Sequence, residues 1–290
     1  MYQYLVYGII IHSDIALYNL VQTEGPADAY VRCLENFNKD VLADSDPFYF
    51  SEKYVRFRTP NGTFSIRDGK EIIIEPGVDA DPFALAAFVL GWCFAFLFTQ
   101  RGFSALHCTA LDINGKGVLV SGVSGSGKST TALSLIRRGY QYLADDIVML
   151  RPLDSPNIVP AYPLQKVCGD VAEQLPPEQL LYINEQRDKY AYLNRKDYCC
   201  QPRKLSSIFI IRADDEDSVR VEEITGLNKY LRTLECLFLA EVYADVGTPD
   251  GDKFQCLKIA EQVRFYMIKR PKNIDTVEQV ADCIESLVAD

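Results

Sequence analysis

Eight consecutive residues, Gly122-Val123-Ser124-Gly125-Ser126-Gly127-Lys128-Ser129, restrict this chain more than any other stretch, because they fit G-x-x-x-x-G-K-[ST]. Such a run works only where a strand hands over to a helix. Val118–Ser121 before it is a short apolar strand. Thr130–Arg138 after it carries Leu133, Leu135 and Ile136 among good helix formers and stops at Gly139. Glycines let successive backbone N–H groups converge on an anion, and the start of the helix adds partial positive charge. Lys128 brings a point charge to the β- and γ-phosphates of a nucleotide, and the Ser129 hydroxyl is a ligand for Mg2+. Gly122, Ser124, Gly125, Ser126, Gly127, Lys128, Ser129 and Thr130 are the expected phosphate-binding residues.

The residues beyond the loop's helix narrow the chemistry. Tyr140–Ala144 is expected to be the next strand, and it closes on Asp145-Asp146, seventeen residues after Lys128. Two parallel strands joined through one helix form a right-handed unit and end at the same edge of the sheet. The two carboxylates should therefore stand beside the loop. One can hold Mg2+, and the other can take a proton from an attacking hydroxyl. An Asp-Asp turn after a strand is also an ordinary structural device.

Leu106-His107, Gly117-Val118-Leu119, the phosphate loop, Arg138-Gly139 and Ala144-Asp145-Asp146 together resemble the HPr serine kinase/phosphorylase family. Within the wider group, which includes the PEP carboxykinases, the chain is most similar to the shorter relatives found beside genes for ribosomally made peptides, such as lasso-peptide tailoring kinases. The resemblance implies that Asp145 handles the proton, that Asp146 helps Ser129 to hold the metal, and that His107 packs near the acidic pair. It also implies a substrate contact at Lys166, where relatives often carry arginine, and a similar one at Lys189. A surface lysine is the alternative at both places. The long signature containing Glu-x-Arg-Gly-Leu-Gly, which full HPr kinases carry past the acidic pair, has no counterpart between Pro163 and Gln186. The resemblance is therefore not extended to HPr as acceptor or to the reverse, phosphorolytic reaction.

The rest of the chain bounds this picture. It has 290 residues, 48% of them hydrophobic, which suffices for one large or two modest domains. A net charge of −10 and the lack of a Lys/Arg-rich run argue against a nucleic-acid surface. Nine cysteines form no C-x-x-C and the two histidines no cluster, so free thiols in a reducing cytoplasm are expected rather than a structural zinc. Leu5–Ile11 is expected to be one strand, with His12 a polar residue at its end. Residues 28–75 look like a meander of short strands turning at Asn61-Gly62 and Asp68-Gly69. Phe83–Phe98 is an uncharged apolar run, just short of the roughly 17–25 residues of a membrane span. We expect a helix buried between two parts of the protein, and no membrane partner. Pro156–Pro163 is expected to be a loop, Gln174–Gln186 a polar flap, Leu205–Arg212 a buried strand and Leu227–Val246 one amphipathic helix. Ile259–Ile268 would be a helix end followed by an edge strand. A capping box at Asp275–Glu278 would open the last helix. Arg264 and Arg270 have no fixed place.

These readings combine into an α/β fold: a P-loop-containing sheet with flanking helices over residues 104–290, plus a smaller β-rich N-terminal part, 1–103. The implied function is a cytoplasmic, ATP- and Mg2+-dependent kinase. Its acceptor would be a hydroxyl, of serine in a ribosomal peptide or of a small molecule. GTP in place of ATP stays open, and the hexamers of the family make a homo-oligomer conceivable. Two other readings remain: a non-catalytic module that binds nucleotide and peptide, and a PEP-carboxykinase-like lyase, which would need more metal ligands than the sequence offers.

Overall fold

The computed structural model describes residues 1–34, 47–151, 155–184 and 188–289. Two large sheets dominate. The first contains eight strands in the order Val21–Gln22, Tyr2–Val6, Ile9–Ser13, Ala29–Cys33, Glu71–Pro76, Gly62–Arg67, Tyr54–Thr59, Phe48–Phe50. It is not a plain meander, because Ile9–Ser13, Ala29–Cys33 and Glu71–Pro76 run parallel. Part of the expected 28–75 segment, residues 35–46, lies outside the described residues. The single strand expected over Leu5–Ile11 is a hairpin instead. Tyr7 and Gly8 both have positive φ, so the chain turns there and pairs Val6 with Ile9. The Asn61-Gly62 turn is shifted by one residue, since Gly62 already pairs with Thr59.

The second sheet is built around Arg203–Asp214, which pairs in parallel with Lys116–Ser121 on one side and with Arg264–Pro271 on the other. Phe209 and Ile211, on the face covered by the helices, are buried, as is Ile208 on the opposite face. That is the pattern of a strand covered on both faces. Arg264–Pro271 is therefore an inner strand, and the edge belongs to Arg220–Ile224 beyond it. Asn157–Val159, expected within a loop, pairs with Val148–Arg151. The helix expected over Leu227–Val246 is two, Leu227–Glu235 and Ala240–Val246. The chain between them is held by a hydrogen bond from the His107 N–H to the Cys236 carbonyl. A third sheet of Leu164–Cys168, Lys189–Leu193 and Leu180–Asn184 takes in part of the expected polar flap, whose last two residues, 185 and 186, lie outside the described residues.

The apolar run forms one helical segment, Pro82–Gln100, with a wider π turn at Val89–Cys93. By length and composition it could cross a membrane, yet Phe94–Phe98 are all buried in the protein. Asp81 accepts hydrogen bonds from the N–H groups of Phe83 and Ala84, which caps its start. Phe96 packs on Phe48, Phe50 and Phe57 of the first sheet, while Trp92 packs on Phe238 of the second half. The segment is thus buried between the two parts, and one apolar core runs through both.

Candidate active site

Backbone register brings the loop and the acids together. Lys116–Ser121 and Gln141–Ala144 point the same way, but the strand Thr109–Ile113 lies between them, antiparallel to both. Ala110 faces Leu119 on one side and Ala144 on the other, so Asp145 emerges beside Thr109 at the edge where the phosphate loop begins. Asp146 takes a left-handed φ of 69°, which aspartate tolerates, and its carboxylate meets Lys166 and His107.

Each carboxylate is held by named partners. The Thr109 hydroxyl donates to Asp145 Oδ1 at 2.5 Å, and the Lys166 backbone N–H donates to Asp145 Oδ2 at 2.7 Å. Lys166 Nζ lies 2.5 Å from Asp146 Oδ2, and His107 Nδ1 lies 3.7 Å from Asp146 Oδ1. Burial pushes the Asp145 carboxyl above its ordinary value, and the Thr109 and Lys166 hydrogen bonds only partly offset it. Burial also acts upward on Asp146, but Lys166, His107 and Lys189 outweigh it and hold that carboxyl below the usual range. The His107 imidazole is lowered by burial, against the pull of Asp146. Two adjacent aspartates are thus driven apart in acidity by their surroundings, the arrangement that separates a proton acceptor from a permanent anion.

The loop itself is folded for an anion. Gly127, at φ 106°, starts the helix Lys128–Arg137 with no side-chain cap, which leaves the first N–H groups free for a ligand. Gly122, at φ 145°, has no room for a side chain, because a Cβ would collide with the Ile211 carbonyl oxygen. Lys128 Nζ donates to the carbonyls of Gly122 at 2.6 Å and Val123 at 3.2 Å, so its ammonium stands over the loop. Burial lowers its pKa.

One cavity of about 1150 Å3 joins these groups. Ser124, Gly125, Gly127, Lys128, Ser129 and Thr130 line it, together with His107, Asp145, Asp146, Lys166 and Lys189. Gly122 and Ser126 do not reach its wall. Gly122 shapes the loop from behind, and the Ser126 hydroxyl is buried next to it without a partner. Lys166 and Lys189 arrive on neighbouring strands, Leu164–Cys168 and Lys189–Leu193, so Lys166 does not open a helix. Arg270 also lines the cavity and donates from Nε to the Ser126 carbonyl at 2.8 Å, whereas Arg264 bonds the Leu287 carbonyl away from it. Thr109 escaped sequence reasoning, although its position at the start of a strand one residue from the Leu-His-Cys run was the available signal. Tyr7 escaped it too: its hydroxyl donates to the Ile147 carbonyl at 2.8 Å and secures the turn that carries the acids.

Fold and site define an α/β protein whose glycine-rich loop and acidic pair line one cavity. Residues 101–165 match the HPr serine kinase C-terminal domain. The HPr kinase/phosphorylase of Bacillus mycoides is 47% identical over 60 residues, 21% of this chain and 19% of that protein. That of Bacillus subtilis is 48% identical over 56 residues, 19% of this chain and 18% of that protein. The HPr(Ser) kinase/phosphatase from Coxiella burnetii aligns over 64% of this chain and 93% of its own at 16% identity, with a TM-score of 0.32. The chain is HPr-kinase-like, and the shared segment covers about a fifth of the curated relatives' length. It contains the loop and both aspartates, and it ends one residue before Lys166.

Proposed function

We propose that this chain is an ATP- and Mg2+-dependent kinase that transfers the γ-phosphoryl group to a hydroxyl, on a serine of a peptide or on a small acceptor. The observation that carries this reading is the single cavity lined by both the loop and the acidic pair. Asp145 accepts the acceptor's hydroxyl proton as the new O–P bond forms and the bond from the γ-phosphorus to the bridging oxygen breaks, leaving ADP. Its raised pKa suits a proton acceptor, and two hydrogen bonds leave lone pairs free on its oxygens. Lys128, the loop amides and Arg270 stabilise charge on the transferring group, and Lys166 and Lys189 add positive charge on the acceptor side. His107 orients Asp146.

The donor set fits magnesium. Ser129 offers a hydroxyl and Asp146 a carboxylate kept anionic, and Mg2+ is usually held by one or two carboxylates plus substrate phosphates. Bound there, the metal neutralises charge on the β- and γ-phosphates. Residues 1–103 and 104–290 are taken as two units that share a core, a division that limited proteolysis tests.

Incubation with Mg2+, ATP labelled in the γ-phosphate and a pool of serine peptides should label peptide. Nucleotide that binds but never yields a labelled peptide or small acceptor would favour the non-catalytic module instead.

A further inference from the structure

Beside the main cavity lies a second hollow of about 390 Å3 between Phe48, Phe57, Phe88 and Trp92, with Glu241 and Asp245 exposed at its rim. Phe88 and Trp92 line both spaces, so the hollow adjoins the cavity that holds the acids across a shared aromatic wall. The connecting wall is aromatic. Trp92 stacks edge-on against Phe238 at 5.9 Å, Phe238 faces the His107 ring at 6.1 Å, and His107 lies 3.7 Å from Asp146. The π turn at Val89–Cys93 builds this junction, and Gly91 within it lines the main cavity without a side chain to block it. Such turns are frequent at functional sites. Glu241 and Asp245, one helical turn apart, are the charged groups among the described residues that line the hollow.

We infer that the acceptor is a polypeptide whose hydroxyl meets Asp145 while a large apolar side chain nearby fills this hollow, with a lysine or arginine beside it pairing with Glu241 and Asp245. The inference rests on the kinase reading above and specifies its substrate class. The path from Asp146 through His107 and Phe238 to Trp92 is roughly 16 Å, which about five extended residues cover at about 3.3–3.6 Å each. The apolar wall selects the anchor, and the two carboxylates select the sign of its neighbour. Phe48 and Phe57 come from the first sheet, which gives that sheet a part in choosing the acceptor.

Trp92 is the only tryptophan, so its emission reports occupancy without any transfer taking place. The full-length protein, with and without Mg·ADP, is titrated with three serine peptides: one carrying Phe-Arg four residues from the serine, one carrying Ala-Arg and one carrying Phe-Glu. The Phe-Arg peptide should bind about tenfold or more tighter than Ala-Arg, and about two- to tenfold tighter than Phe-Glu. The double variant E241K/D245K, altered only on an exposed helix face, should reverse the Arg/Glu preference and bind a fluorescent ADP analogue as the parent does. Equal affinity for the three peptides, or an unchanged preference in the variant, overturns the inference even if phosphate is transferred. Selective peptide binding without any transfer would support the hollow as a peptide site and count against the kinase reading instead.

Discussion

The two large sheets solve different problems. Most strands of the first alternate in burial, as in Tyr54–Thr59 and Glu71–Pro76, and only Gly62–Arg67 among its described strands is buried over nearly its whole length. The turns of this sheet at Tyr7-Gly8, Pro60-Asn61 and Asp68-Gly69 are tight and, among the described residues, close no catalytic cluster. The second has inner strands covered on both faces, and its connections at one edge are the phosphate loop and the Asp145–Ile147 turn. A strand buried on both sides fixes its ends rigidly, and this sheet carries the buried acidic pair and the loop lysine at one edge. The first sheet reaches that edge through Tyr7 and the apolar segment, and Phe48 and Phe57 approach it at the neighbouring hollow, so its role is support and, by our inference, acceptor selection.

Substitutions can break this contrast. The largest effect is expected from Gly122→Val, which cannot keep φ 145° or clear the Ile211 carbonyl, so nucleotide binding measured by titration should vanish while the first sheet stays folded. Phe96→Ala should instead weaken both sheets together, by about 3–5 kcal/mol, because it empties a site shared by Phe48, Phe50, Phe57 and Trp92. Urea unfolding should show one transition moved to lower denaturant; two separate transitions would mean that the sheets do not share a core. Tyr7→Phe leaves a buried carbonyl on Ile147 unpaired and should cost about 1–3 kcal/mol, with a slower transfer rate because the acid turn loosens. Thr109→Val should change stability least and act on pH. Asp145 already has a raised pKa, and Thr109 donates to its ionised form. Removing that bond raises the pKa further, so the acidic limb of the rate profile should move to higher pH. A limb that moves down or stays put would show that Asp145 is not the group being titrated.

The legible parts of the sequence were those coded locally. The loop, its helix, the acidic strand, the buried run Leu205–Arg212 and the apolar helix all follow from neighbouring residues and their spacing. What stayed hidden depends on pairing across long separations. The register that sets Thr109 beside Asp145, the Tyr7 reach of 140 residues, and the interior place of Arg264–Pro271 are set by strand partners that local pattern does not encode. The split of Leu227–Val246 is of the same kind, imposed by the hydrogen bond from His107 to Cys236. Lys166 was found by resemblance alone. Its double attachment, amide to one acid and ammonium to the other, came only from the structure.

The most direct test compares Asp145→Asn with the parent in two assays, nucleotide affinity and label transfer from ATP to acceptor. The account predicts affinity within a few-fold and transfer lost. Transfer at the parent's rate from the asparagine variant would contradict it.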